Sequence, residues 1–107
     1  MELWPASLAE ITPDLYATEE VESEDKEVVA KFFALGSSLT WYVVEAQKLE
    51  FGDVLFFGYV HTGDWNSEWG YFTLKELEQQ RYLGGIPRIE RDLHFEKKRF
   101  GELDLEQ

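Results

Sequence analysis

Arg88, Glu90, Asp92, His94 and Glu96 fall at every second position late in the chain. On an extended strand alternate side chains share a face, so this spacing sets three carboxylates, an imidazole and a guanidinium side by side. Such a row can pass protons between a substrate and water, or hold a divalent ion. Arg88, Glu90, Asp92 and His94 are therefore the candidate pocket of a small hydrolase or ligand-binding domain, with Ile89, Leu93 and Phe95 turned to the core. The same pattern also suits a charged edge strand that blocks pairing with another sheet. Charged residues are common on wet faces, and the edge strand is the leading reading.

His61, Asp64 and Glu68 offer one nitrogen and two carboxylates around a turn, but zinc sites draw three or four ligands from histidine, cysteine and carboxylate. The chain has two histidines and no cysteine, so no metal or cofactor is expected. The lack of cysteine also removes disulfides and thiolate catalysis. No glycine-rich phosphate loop, Gly-x-Ser-x-Gly elbow or dinucleotide fingerprint is present, and no catalytic residue is assigned.

Charge is the strongest signal. Twenty-two acidic residues stand against ten basic ones, a net charge of −12. Residues 1–27 hold nine carboxylates against one base, Lys26. A surface this negative repels phosphate backbones and anionic membranes and attracts basic partners. Direct nucleic-acid binding is not expected. Glu19, Glu20, Glu22, Glu24 and Asp25 are the candidate partner-binding carboxylates. Trp65, alone among Gly, Asp, Asn and Ser, is the candidate aromatic anchor. Trp41, Trp65, Trp69, Tyr71 and Tyr59 form a contact patch if some of them share a face; the plainer reading is that strand aromatics fill the core between sheet and helix. Basic residues gather late, and this end is expected partly to neutralise the acidic one.

These residues need a scaffold. At 107 residues and 44% hydrophobic content the chain is expected to be one globular domain. Trp4, Leu8, Ile11 and Leu15 recur at helical spacing, and Pro13 stops a helix, which predicts one over about 5–11. Residues 18–27 read as a solvated, mobile acidic loop. Strands are expected over 28–35, 39–46, 54–61 and 69–72, with a turn at 36–38. In the second, Trp41, Val43 and Glu45 would share one face and Thr40, Tyr42, Val44 and Ala46 the other. Gly58 inside the third marks a bulge or a close backbone approach. Thr73 and Glu76 form a capping box that opens a helix over 74–82, ended by Gly84 and Gly85. Residues 86–97 read as a last strand and 101–107 as a frayed tail. The expected fold is α+β, an antiparallel meander sheet of four to five strands packed against one or two short helices, with the other face wet. No signal peptide is expected, and no apolar run approaches the ~20 residues of a membrane helix. A cytoplasmic protein is the expectation.

Taken in order, LYATEE (15–20), KFF (31–33), TWYVVE (40–45), FFGYV (56–60), GYFTLKELE (70–78) and GGIPRIERDLHFE (84–96) resemble domain-of-unknown-function family 2958. This is a family of small bacterial proteins, often encoded on plasmids and other mobile elements. The likeness runs from Leu8 to about Lys98, and residues 61–69 look more individual than the family. The resemblance implies a single small cytoplasmic domain from a bacterium or phage, and it supplies no activity and no catalytic residues. A mobile-element setting points to host interaction or evasion of host defence.

Three functions follow as expectations. The first is a non-enzymatic module docking on a basic, nucleic-acid-binding protein, in its sharpest form a DNA mimic that inhibits a restriction or CRISPR component. The second is the hydrolase or ligand-binding domain on the last strand. The third is an acidic accessory domain whose charge confers solubility.

Overall fold

Helix α1 (Ala6–Ile11) opens this chain's order of elements in the computed structural model, which describes residues 1–105. It is followed by β1 (Glu27–Val28), β2 (Ala30–Ala34), β3 (Thr40–Lys48), β4 (Val54–His61), β5 (Glu68–Thr73), α2 (Leu74–Glu78), β6 (Ile89–Arg91) and β7 (Lys98–Arg99). Strands β2 to β5 form the expected antiparallel meander, and β6 returns beside β2, so the sheet runs β5-β4-β3-β2-β6. Strands β1 and β7 pair separately. The fold is α+β, with this antiparallel sheet packed against two short helices.

One face of the sheet carries the main core. Phe32, Trp41, Val43, Phe56, Phe72 and Ile89 line it, and Leu74 and Leu77 of α2 pack on it with Trp4 and Leu8 around α1. The Trp4 ring meets Phe56 edge-on at 4.8 Å. Helix α1 starts after Pro5 and stops at Thr12, whose hydroxyl donates to the Leu8 carbonyl at 2.6 Å. Helix α2 has its capping box: Thr73 Oγ1 accepts from the Glu76 amide and Glu76 Oε1 accepts from the Thr73 amide.

That helix ends at Glu78, short of the expected Tyr82. The chain turns into a hairpin-like loop instead, in which Arg88 N–H donates to Gln80 O and Tyr82 N–H to Ile86 O. Gly84 and Gly85, both at positive φ, turn its tip rather than cap the helix.

The bulge anticipated at Gly58 is present. The β3–β4 register slips between Val43 and Glu45, and Gly58 lies opposite Val43. A Cβ at Gly58 would stand 1.8 Å from the Tyr42 carbonyl oxygen, so only glycine fits there. The extra residue reverses the alternation. Ala46 joins Val43 in the main core, and Glu45 moves to the opposite face beside Phe57, against the alternation read from the sequence.

The opposite face is not left wet. Val28, Tyr42 and Val44 form a second apolar cluster there, packed with Tyr59, Trp69, Phe95, Phe100, Leu103 and Leu105. The expected frayed tail thus gives way over 101–105 to a 3₁₀ turn at Phe100–Glu102 and two packed leucines. Residues 106–107 lie outside the described residues.

The strand expected over 86–97 is paired in the sheet only over Ile89–Arg91. Asp92 ends it: its Oδ1 accepts from the His94 amide at 2.9 Å and its carbonyl from the Phe95 amide. A side chain that offers the backbone this local bond favours a turn over a strand.

Candidate functional site

The turn at Asp92 dissolves the alternating row. Ile89 is buried, but Leu93, expected in the core, is exposed. Arg88 lies against the Tyr82 ring at 5.8 Å, and Glu90 sits opposite Phe33. Only Asp92, His94 and Glu96 of the row meet, on a shallow cavity of about 300 Å³ shared with Lys31, Tyr42 and Asp104. Asp92 pairs with Lys31 at 3.9 Å. Burial first, then the charges of Asp92 and Asp104, push the Tyr42 phenol above the usual tyrosine range. Among the described residues no group of three or more His, Cys, Asp or Glu is placed to hold a metal ion.

The His61 loop uses its polar atoms on itself. His61 is buried, its ring stacks on Tyr59 and its Nδ1 lies 3.2 Å from Ser67 Oγ. Asp64 Oδ1 accepts from the Thr62 hydroxyl at 2.6 Å and the Asn66 amide at 2.8 Å. These bonds, the Thr62 one foremost, hold the Asp64 carboxyl below its ordinary value. Trp65 stands at the loop tip, 90% exposed.

The acidic segment, expected as a mobile loop, is tied down at Thr18 and Lys26. The tie is Glu45, which the bulge delivers to this face. Glu45 is only 3% exposed. Its Oε1 accepts from the Tyr16 amide at 2.8 Å, and its Oε2 from the Thr18 amide at 3.0 Å and the Thr18 hydroxyl. Lys26, 8% exposed, donates through Nζ to the Thr18 carbonyl and hydroxyl. Thr18 therefore bridges a buried carboxylate and a buried ammonium. A buried carboxylate needs such partners, because an ion without them costs several kcal/mol to bury. Two exposed ion pairs, Arg99–Asp25 and Lys97–Glu27, each 3.5 Å, join the acidic segment to the basic end as expected. Pairs this exposed contribute little, so the Glu45 network is the main polar anchor.

Glu19, Glu20, Glu22, Glu24 and Asp25 are all exposed. Seven of the nine carboxylates in 1–27 make no ion pair among the described residues; Asp25 and Glu27 do. Trp65 is not beside them. It lies in the loop beyond His61, and His61, the end of β4, is itself four residues, or about 13 Å, from Phe57 along the strand. The acidic cluster and the proposed aromatic anchor are thus two separate places.

A different aromatic group adjoins the carboxylates. The register sets Glu45, Phe57 and Tyr71 in one row across β3, β4 and β5, and Tyr42, Tyr59 and Trp69 in the next. Of the patch considered from the sequence, Trp41 is core, whereas Tyr59, Trp69 and Tyr71 share the second face. Phe57 and Tyr71 stand 5.2 Å apart, and with Tyr16, Glu19, Glu45 and Lys26 they line a cavity of about 260 Å³. Tyr16 is held at φ +70°, a backbone angle uncommon outside glycine. The Tyr16 side chain, by hydrogen bonding, is the leading cause that raises the Tyr71 phenol, followed by burial and by charges including Glu45 and Glu19. Tyr16, Glu45 and Phe57 were not singled out as site residues in the sequence. The available signal was Gly58, whose bulge decides where Glu45 points.

The family model described as "Protein of unknown function (DUF2958)" matches residues 3–101. No curated protein and no solved structure matches the chain.

Proposed function

The chain belongs to DUF2958, a family of proteins of unknown function, and from that premise we propose that it is a non-enzymatic module that docks on a basic protein surface. The observation that carries the reading is the fixed, exposed acidic segment, most of whose carboxylates have no internal cation. A solubilising surface needs charge but no anchor. Here a buried network holds the segment that displays it. The partner is a nucleic-acid-handling protein, because such proteins present the complementary basic surface. The sharper form is a DNA mimic inhibiting a restriction or CRISPR component.

The test is capture from a bacterial lysate at low salt, followed by a salt gradient and competition with duplex DNA. A basic protein released at moderate salt and displaced by DNA is the expected result. Capture that is indifferent to salt, or unchanged when Glu19, Glu20, Glu22 and Glu24 become Gln, overturns the reading.

A second reading rests on Tyr42. It is 5% exposed and lines the cavity with Lys31, Asp92 and His94, so a small polar ligand there would meet a phenol, an ammonium, a carboxylate and an imidazole together. Amide shifts confined to Lys31, Asp92 and His94 in a metabolite titration would support it; a panel that moves none of them would remove it. Arg88 and Glu90 lie outside this cavity, which takes two of four candidates from the hydrolase version.

A further inference from the structure

We infer that the cavity between Tyr16, Phe57 and Tyr71, with Glu19 on its lining, receives one arginine side chain of the basic partner. The inference rests on the docking proposed above and names the contact that would give it specificity.

Three aromatic rings and two carboxylates line this cavity. Ring faces are negative and attract a cation within about 6 Å of the centroid. Glu45 has both oxygens engaged by the Tyr16 and Thr18 groups, so it contributes field rather than a contact. Glu19 is exposed; its amide donates to the Tyr16 carbonyl at 3.3 Å, and its carboxylate, which makes no side-chain hydrogen bond or ion pair among the described residues, remains to accept one. The cation already present, Lys26, is held by the Thr18 carbonyl and hydroxyl. Tyr16 and Tyr71 are both more than half exposed, which leaves ring surface for a ligand.

Arginine suits this combination better than lysine. Its planar guanidinium can lie on a ring while its fork meets a carboxylate, whereas an ammonium is a compact, strongly hydrated charge. The acidic rim would draw any basic segment, and the cavity would distinguish arginine within it. The cavity also adjoins the acidic segment directly, since Tyr16 and Glu19 belong to both.

The test uses two capped peptides of equal length and charge, lysine-only and lysine with one central arginine, titrated calorimetrically into the full chain. The arginine peptide is expected to bind about tenfold tighter. Tyr71→Ala should erase that preference and leave the lysine peptide unchanged. Tyr71→Phe, which keeps the ring, should retain it. Glu19→Gln should lower the preference partway, and serves if Tyr71→Ala does not fold. Equal binding of both peptides, or equal weakening by Tyr71→Ala, overturns the cavity and leaves the docking reading standing. If neither peptide binds the parent chain, both readings are overturned. Capped arginine alone binding as tightly as the peptide would make this a small-molecule site and overturns the partner contact.

Discussion

Two segments cover the same face of the sheet by opposite means. The acidic segment is held by polar bonds that converge on Glu45. The C-terminal segment is held by rings and leucines: Phe100 packs against Tyr59 at 4.8 Å and Trp69 at 4.7 Å, and Leu103 and Leu105 join the same cluster. The first depends on one residue, and the second is spread over several. Apolar contacts are individually small and additive, whereas a buried charge fails completely when its partner is removed. The lesson is that a segment too charged to bury itself can be fixed from below by one carboxylate placed correctly.

That contrast can be broken by substitution. Glu45→Ala carries the largest expected effect. It leaves the Tyr16 amide and the Thr18 amide and hydroxyl without their acceptor, and removes the carboxylate that Thr18 links to the buried Lys26, at a cost of about 3 to 5 kcal/mol. Chemical denaturation measures the loss, and hydrogen exchange should show the Tyr16 and Thr18 amides open while residues 100–105 stay packed. Phe100→Ala should cost less, about 2 kcal/mol, because the ring is only half buried. Its exchange pattern should be the reverse. The two segments do touch, since the Phe100 amide donates to the Lys26 carbonyl at 2.8 Å. If either variant opens both segments together, they form one cooperative unit and the contrast fails.

The smallest effect sharpens the comparison with a third, self-contained loop. The folded Asp64 carboxyl titrates below its ordinary value. Its contribution is therefore present above the unfolded carboxylate value and is lost as pH falls through the lowered folded one. The Asn66 amide shift should follow that titration in acid. A midpoint at the ordinary aspartate value would mean that the Thr62 and Asn66 bonds do not form in solution.

Much of the scaffold was legible because its signals are local. The capping box of Thr73 and Glu76 needs four consecutive residues, and β4 declares itself by an unbroken apolar run. The alternation continues past Asp92 and reads as a longer strand, but there a local side-chain turn prevails over the strand pattern. The second face is hidden from the sequence for a different reason. Leu103 and Leu105 sit in an acidic tail, and only contact with Tyr42 and its neighbours makes them core. The candidate carboxylates were plain from composition, but their anchor was not. A glutamate within β3 reads as either face until its partner strand sets the register. The aromatic cavity likewise draws Tyr16, Phe57 and Tyr71 from three separate stretches, which no spacing rule joins.

The bulge beside Gly58 makes β3 a strand with two reading frames. Trp41 and Val43 are read in the first frame, and Ala46 belongs to the core only in the second. Parity, more than residue identity, then decides what Glu45 does. If β3 paired without the bulge and kept every letter, Val44 would stand opposite Phe57 and Glu45 opposite Phe56, on the core face. Glu45 would then be out of reach of Tyr16 and Thr18. A slip of one residue, invisible to composition or charge, would unfasten the surface on which the protein's recognition is proposed to rest.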